Sequence, residues 1–159
     1  MLTCAPARLS YGKMRDSDFS EILRELDSLE AEIEAMRVAV DEGEETFVSA
    51  PAARQSALRH LNVAMRHAVN AARSLIEEAD WEEPEDGLDA LEILVEEEVL
   101  PGRIGLTLVD LADYVSELGE EAVYETADDP VAFERLTEGV DALAEYQEYV
   151  HHFLKEWSE

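Results

Sequence analysis

The spacing of apolar residues along the chain predicts helices throughout. Between Asp18 and Asp41 the apolar positions alternate in steps of three and four, as in an amphipathic helix with a coiled-coil-like seam. Asp18 followed by Glu21 predicts a capping box at the start of this helix, and Gly43 predicts its end. The seam consists of Phe19, Ile22, Leu26, Leu29, Ile33, Met36 and Val40.

A second helix is predicted from Pro51 to about Ala79, because proline suits the first turn of a helix. Alanines are frequent on its apolar side, which favours the close approach of a neighbouring helix. The apolar positions are Ala57, Leu58, Leu61, Ala64, Met65, Ala68, Val69, Ala72, Leu75 and Ile76.

Three further helices follow segments that contain helix-breaking residues. A short helix is predicted for 88–98 and a longer one for 104–121, after breaks at 81–87 and at 101–102. Asp129 followed by Pro130 predicts the start of a last helix that runs to the end of the chain. No segment shows the period of two that is typical of strands. The sequence therefore predicts an all-α, up-and-down bundle of four to five helices over residues 18–159, after a flexible tail over residues 1–17.

The composition adds a large negative charge to this picture. The chain has 12 basic and 39 acidic side chains, which gives a formal net charge of −27. Like charges oppose compaction unless salt screens them. An ordinary acidic surface is one interpretation, but the acids are spread over every segment, which favours adaptation to a very salty cytoplasm. A surface with few cations also releases few counterions from nucleic acid, so we expect no DNA partner and no general role in RNA binding.

The location of the chain is predicted from two absences in the sequence. No apolar stretch is long enough for a membrane span or a signal peptide. The single cysteine, Cys4, cannot form a disulfide within the chain, which fits a reducing compartment. We therefore expect a cytoplasmic protein without a membrane contact.

Three stretches in their order along the chain resemble the HepT-like branch of the HEPN superfamily. They are SAPAARQSALRHLNVAMRHAVNAARSLI, GLDALEILVEEEVLPGRIGLTLVDLADYV and YETADDPVAFERLTEGVDALAEYQEYVHHFL. With the first helix, the similarity covers roughly residues 18–157. The resemblance implies a helical two-fold dimer. It also implies a ribonuclease toxin that is paired with a small nucleotidyltransferase antitoxin.

The ribonuclease motif of that family is missing from this chain. The motif has an arginine, usually with an asparagine directly after it, then after four to six residues a histidine, with a tyrosine two places further on. Its arginine would hold the scissile phosphate and its imidazole would move protons. Aligning the motif on Tyr124 places Glu117, Leu118 and Ala122 at the Arg, Asn and His positions. Tyr124 is then the one positional match. The resemblance implies that the partner transferase modifies this tyrosine. The interpretation that we favour is an ordinary half-buried tyrosine.

An alignment on the preceding helix does not restore the motif. It places Val115, Ser116 and Glu120 at the same three positions. Moreover, the chain contains no Arg, Lys or His between Arg103 and Arg135. A segment rich in carboxylates repels phosphate and supplies no imidazole. We therefore predict no catalytic residue here.

A basic stripe on the second predicted helix is the main candidate binding site. Arg59, Arg66 and Arg73 are spaced by seven residues, with His60 and His67 beside them. Seven residues bring side chains to within about 20° of one another around a helix. One interpretation is a site for an anion or phosphate. The one that we favour is ion pairing with acidic side chains of neighbouring helices or of a dimer mate.

The remaining candidate chemistry is sparse. Glu148, His151 and His152 share one turn of the last helix, which is half of a helical metal site. A second Glu-x-x-His is missing, so solvated polar residues are the favoured interpretation, and we expect no metal and no cofactor. Serine, histidine and aspartate occur without a nucleophile elbow, a phosphate loop or a glycine-rich fingerprint.

The functional hypothesis is a non-catalytic HEPN-like protein that acts through dimerisation and protein contacts. By family analogy its partner is a small nucleotidyltransferase in a toxin-antitoxin-type pair. The alternatives are an active HepT-like ribonuclease toxin and a substrate-binding subunit for a nucleotidyltransferase, with the stripe arginines as contacts. A homodimer is expected because the first-helix seam and the alanine-rich second helix offer more apolar surface than a small bundle needs.

The charge leads to a test of stability against salt. We expect the melting temperature to rise from dilute buffer to molar KCl, because screened carboxylates repel one another less. In a domain of this size each kcal/mol gained raises the melting temperature by roughly 2–4 °C. Circular dichroism across a KCl series measures the change. Equal stability in dilute buffer would contradict the expected adaptation to salt.

Overall fold

The computed structural model describes residues 19–118 and 129–158, and all regular structure in them is helical. The all-α class predicted from the sequence is therefore confirmed. No helix in this part of the chain combines the length and the low charge that crossing a bilayer requires. The described helices are α1 (Ser20–Glu42), α2 (Glu44–Ser49), α3 (Pro51–Ala79), α4 (Gly87–Glu96), α5 (Gly102–Leu118) and α6 (Asp129–Ser158).

Most helix boundaries agree with the sequence predictions. Helix α3 begins and ends at the predicted residues, and α6 begins at Asp129. Gly43 ends α1 with a φ of 96°, a backbone conformation that favours glycine, and its N–H donates to the carbonyl of Val40. Asp18 and the predicted tail lie outside the described residues, as does the predicted end of α5 beyond residue 118.

Helix α2 was not predicted. Its six residues form fewer than two turns, so no period of 3.6 can be recognised in the sequence. Phe47 is the buried residue of α2, and its ring packs edge-on against that of Phe133 in α6, with 5.3 Å between the ring centroids. The short helix therefore connects α1 to α3 and also fastens this corner of the bundle to α6.

The directions of the long helices follow from contacts between named residues. Pairs of His60 with Glu32 and of His67 with Glu25 show that α3 runs antiparallel to α1. Helix α6 runs parallel to α3, because Tyr146 lies next to Ala68, seven residues beyond the approach of Gly139 to Leu61. Helix α5 is antiparallel to α6. The long helices thus alternate in direction along the chain, as predicted.

The contact between α3 and α6 depends on small side chains and one buried hydroxyl. Tyr146 is fully buried, and its hydroxyl donates to the carbonyl of Ala68 at 2.6 Å. Burial raises the pKa of Tyr146 above its ordinary value, because the phenolate would lose its hydration. A Cβ atom at Gly139 would lie only 2.8 Å from Cδ1 of Leu61. The alanine-rich side of α3 therefore permits close helix packing, as the sequence indicated.

The first-helix seam lies in the interior of the bundle. Its central residues have 0–1% of their surface exposed, and the alanines of α3 from Ala57 onward are buried with them. The two apolar surfaces from which a dimer was expected are therefore used within one chain. A dimer, which stays a prediction, would have to use another face. The buried seam residues are Ile22, Leu26, Leu29, Ile33 and Met36.

Two leucine substitutions test this assignment of the seam. We expect Leu29→Ala to lower the free energy of unfolding by about 2–5 kcal/mol, because it leaves a cavity in the core. The matched control is Leu106→Ala, where the side chain is 71% exposed, and its effect should stay within about 0.5 kcal/mol. Urea unfolding at two protein concentrations measures both. A loss at Leu29 that grows on dilution would instead place the seam between chains.

Candidate interaction surface

Most of helix α3 carries basic residues and no acidic ones, although the chain as a whole is acidic. Residues 51–76 contain four arginines and two histidines but no aspartate or glutamate, although the whole chain has 39 acidic residues. The first carboxylates of the helix are Glu77 and Glu78, in its last turn. The positive field along α3 is therefore not cancelled by neighbours on the same helix.

Three of these arginines form a row on the side of α3 that faces away from the core. Arg59, Arg66 and Arg73, here called the arginine row, are all exposed. Successive members are separated by about 10.5 Å along the helix axis, from a rise of about 1.5 Å per residue. None of them lies within 4.0 Å of a carboxylate oxygen of any residue that the structure describes.

We favoured ion pairing of these arginines with acidic side chains of neighbouring helices or of a dimer mate, and the first of these two possibilities was wrong. Within the described chain, ion pairing of the row with neighbouring helices does not occur, because the row points to solvent. The histidines form the contacts with α1 instead. Nδ1 of His60 is 2.6 Å from Oε1 of Glu32, and Nδ1 of His67 is 2.8 Å from Oε1 of Glu25.

The arginines and the histidines differ in their contacts because they occupy adjacent positions of the helix. Arg59 and His60 are adjacent in sequence, but neighbouring residues of a helix point about 100° apart. The stripe predicted from the sequence therefore consists of two sides, a histidine side against α1 and an arginine side in solvent. A signal for the first side exists in the sequence, because Glu25 and Glu32 have the same spacing as the histidines and directly precede seam residues.

Arg54 is the exception among the arginines of α3. It lies on the core side of the helix with 7% of its surface exposed, and its Nη1 donates to the carbonyl of Val48 at 3.2 Å. This bond ties α3 back to the end of α2. The sequence signal was its spacing, since Arg54 stands three and four residues before Ala57 and Leu58, which are both buried.

Two arginines on other helices, Arg103 and Arg135, are engaged with carboxylates. Arg103 of α5 lies 2.9 Å from Glu145 of α6, and this hydrogen-bonded neighbour raises the pKa of Arg103. Arg135 is 3.3 Å from Glu138 and also lies over the ring of Tyr114, 5.6 Å from its centroid. By contrast, the guanidinium groups of the arginine row remain available for carboxylates from outside the chain.

The segment to which the resemblance assigns the ribonuclease motif presents negative charge where it is described. Asp110, Asp113 and Glu117 are exposed along α5, on positions three and four residues apart. Val115, which one alignment places at the arginine position, belongs to the core with 9% exposure. Tyr124 lies outside the described residues, as do residues 120 and 122.

A groove borders one end of the arginine row. Its volume is about 430 Å³, and it lies between the last turns of α3 and the segment that follows. Neither Arg59 nor Arg66 lines it, and its carboxylates outnumber its one guanidinium, so it is poorly suited to a phosphate. The residues that line the groove are Arg73, Ile76, Glu77, Asp80, Trp81, Glu83 and Pro84.

The candidate metal residues of the last helix lie on its surface. Glu148, His151 and His152 are exposed, and Nε2 of His152 lies 3.1 Å from Oε2 of Glu156, one turn further on. Among the described residues, no three or more His, Cys, Asp or Glu side chains are grouped so that they could hold a metal ion.

Comparisons with known proteins give no match from which a function could be argued. No protein-family model matches the chain, and searches of curated proteins and of solved structures give no significant match. The arguments on function therefore depend on the residues and on their placement.

The different roles of the α3 arginines can be measured. We expect Arg54→Ala to lower the free energy of unfolding by about 1–3 kcal/mol, because it removes a buried hydrogen bond. The triple change R59A/R66A/R73A should cost no more than about 0.5 kcal/mol for each site, since these side chains are exposed. Urea denaturation of both variants tests this. A larger loss in the triple variant would indicate ion pairs of the row within the chain.

Proposed function

We propose that this chain is a non-catalytic, HEPN-like helical protein that acts through protein contacts, with the arginine row as its main docking surface for carboxylates. The observation that carries the proposal is the row itself: three exposed guanidinium groups on an acid-free stretch of helix, without an ion pair to a described residue. A guanidinium offers a fork of N–H donors that matches a carboxylate in shape and charge. The row therefore fits an acidic protein surface.

The missing nuclease chemistry supports a role without catalysis. RNA cleavage of the kind that the resemblance implies needs a cation for the phosphate and an imidazole for proton transfer. Residues 104–134 contain neither, and the part of them that the structure describes exposes Asp110, Asp113 and Glu117. These carboxylates would repel the substrate that a nuclease must hold.

A protein is favoured over nucleic acid as the occupant of the row. The net charge of −27 repels a polyanion at distances at which the three guanidinium groups no longer attract it. Binding through three phosphate contacts would also release few counterions and would be weak. A folded protein brings a limited number of carboxylates, and it can place them on the row without bringing a continuous negative backbone.

The resemblance extends the proposal to particular partners. It supports a homodimer in the cytoplasm and a small nucleotidyltransferase as the second protein of a toxin-antitoxin-type pair. The dispersed acidity supports a salty cell interior. In this pair the chain would be the binding member, and the nucleotidyltransferase would carry the chemistry.

Two probes test the proposal on the purified chain. We expect a helical peptide with glutamates at seven-residue spacing to bind, and the same peptide with glutamines to bind at least about tenfold more weakly, because three exposed ion pairs are lost. The substitutions R59E/R66E/R73E should abolish the difference between the two peptides. Fluorescence anisotropy measures the binding of each peptide.

RNA provides the contrasting probe. The chain should leave structured and single-stranded RNA uncut under conditions in which it is folded. RNA cleavage that disappears when a residue of 104–134 is changed would overturn the proposal and support an active ribonuclease. Equal binding of the glutamate and glutamine peptides would refute the docking role of the arginine row.

A further inference from the structure

The groove at the end of α3 continues the arginine row beyond its last member. Arg73 belongs to the row and also lines the groove, whose volume is about 430 Å³. Asp80 stands seven residues after Arg73, at the next position of the same repeat, and Glu77 stands four residues after it. Residues at spacings of four and seven share one side of a helix. A partner helix that lies along the row therefore reaches the groove one repeat further on.

The turn that ends α3 places Trp81 at the groove. The N–H of Asp80 donates to the carbonyl of Glu77, and the N–H of Trp81 donates to that of Ile76, both at 3.1 Å. These two bonds form a Schellman motif, in which the residue after the helix has a left-handed conformation. Asp80 has this conformation, with a φ of 62°. The motif folds the chain back towards the last turn of α3, so Trp81 and Ile76 line the groove together.

The ring of Trp81 is supported by α6. Its centroid lies 5.9 Å from that of Phe153, a buried residue of α6. Nε1 of Trp81 is not exposed and has no hydrogen-bond partner among the described residues. The groove is therefore bordered by carbon atoms of the indole ring and not by its N–H donor. An indole ring attracts a cation that lies over its face, and a ring that is already packed loses little freedom when it binds one.

The other charged residues of the groove are acidic. When Arg73 pairs with a carboxylate of the partner, the charges that remain in the lining are those of Glu77, Asp80 and Glu83. None of these three carboxylates forms an ion pair with a residue that the structure describes. The C-terminal end of a helix adds partial negative charge, and the last turn of α3 has no basic residue to offset it. The groove therefore favours a cation.

The lining suits an organic cation better than a metal ion. Within the described chain, no three or more His, Cys, Asp or Glu side chains are grouped so that they could hold a metal. Ile76, Trp81 and Pro84 offer apolar contacts beside the carboxylates. Arginine and lysine side chains combine an apolar stem with a charged head. The groove is large enough for one of them, since pockets for small ligands have volumes of about 300–1,000 Å³.

We infer that the groove binds one basic side chain of the protein that docks on the arginine row. The inference rests on the proposed function and states a further property of the partner. The docking helix of this partner has acidic side chains at three positions of a seven-residue repeat and an arginine or lysine at the fourth. This pattern is opposite in sign to the three arginines of the row and to Asp80, which follows them. The basic residue distinguishes the partner from other acidic helices.

Three helical peptides test the fourth position of the repeat. The first has glutamate at three positions and arginine at the fourth, and the second has glutamine at the fourth. The third has the composition of the first, with the arginine moved to the second position. We expect the first to bind at least about fivefold more tightly than either of the others, because its arginine gains ion pairs and a contact with the indole ring. Fluorescence anisotropy measures the binding of each peptide.

Removal of the groove carboxylates should abolish the preference for arginine. The variant E77Q/D80N/E83Q should bind the first and the second peptide about equally, because neutral amides attract a guanidinium group much less than carboxylates do. Asparagine tolerates a positive φ, so position 80 keeps its backbone conformation. Circular dichroism checks that the variant is folded.

A matched control separates the groove from the general charge of the chain. The variant D110N/D113N/E117Q also removes three carboxylates, at exposed positions of α5 that do not line the groove. Its net charge equals that of the groove variant. It should keep the preference for the first peptide over the second.

Two outcomes overturn the inference and separate it from the proposed function. If arginine and glutamine at the fourth position bind equally to the natural chain, the groove holds no basic side chain. If the preference for arginine persists in E77Q/D80N/E83Q, the arginine binds elsewhere on the acidic surface. In both cases, tighter binding of the peptide with three glutamates than of that with three glutamines leaves the docking role of the arginine row intact. Equal binding of those two peptides refutes the proposed function and this inference with it.

Discussion

The fold depends on the burial of the α1 seam against α3 in a chain whose charge opposes compaction. Apolar burial stabilises a fold by about 25 cal/mol for each Å² removed from water. In this chain it must outweigh repulsion among an excess of carboxylates. The solution is a strict separation, since Leu26, Leu29 and Ile33 are almost fully buried, while Asp27, Glu30 and Glu34 lie on the exposed side of the same helix. Charge repulsion thereby becomes a property of the surface alone.

This separation gives α3 three sides with different interactions. Its core side packs alanines and leucines against α1 and α6. Its flank meets α1 through His60 and His67, which place two imidazoles against Glu32 and Glu25 of that helix. Its outer side presents the arginine row to solvent. A helix without carboxylates up to residue 76 is the local cause, because any glutamate near the row would neutralise it.

The surface chemistry therefore favours association over catalysis. Cleavage of a phosphodiester requires positive charge and proton transfer at one point, and the described residues of the segment where the resemblance places this chemistry expose carboxylates. The exposed positive charge of the arginine row is instead spread over about 21 Å of α3, from a rise of about 1.5 Å per residue. An extended row of this kind fits an extended surface such as a partner helix. Its repeat of seven residues is also the repeat that aligns side chains of two helices packed at a small angle.

The longer helices could be predicted from the sequence, because a period of 3.6 residues and the breakers between the segments are local properties. These patterns predicted α3 from Pro51 to Ala79 and the end of α1 at Gly43, and they missed α2, whose six residues are too few to show a period. The sequence also identified the arginines of the row and the lack of Arg, Lys and His in residues 104–134.

Which surface each stripe meets follows from the packing of the helices and could not be predicted from the sequence. An apolar seam has the same pattern whether it packs within a chain or between chains, so the sequence assigned the α1 seam partly to a dimer, whereas packing places it inside the bundle. Likewise, the sequence grouped His60 with Arg59, although a rotation of about 100° between neighbours separates them. One faces α1 and the other faces solvent, because the position of α1 fixes which side of α3 is covered.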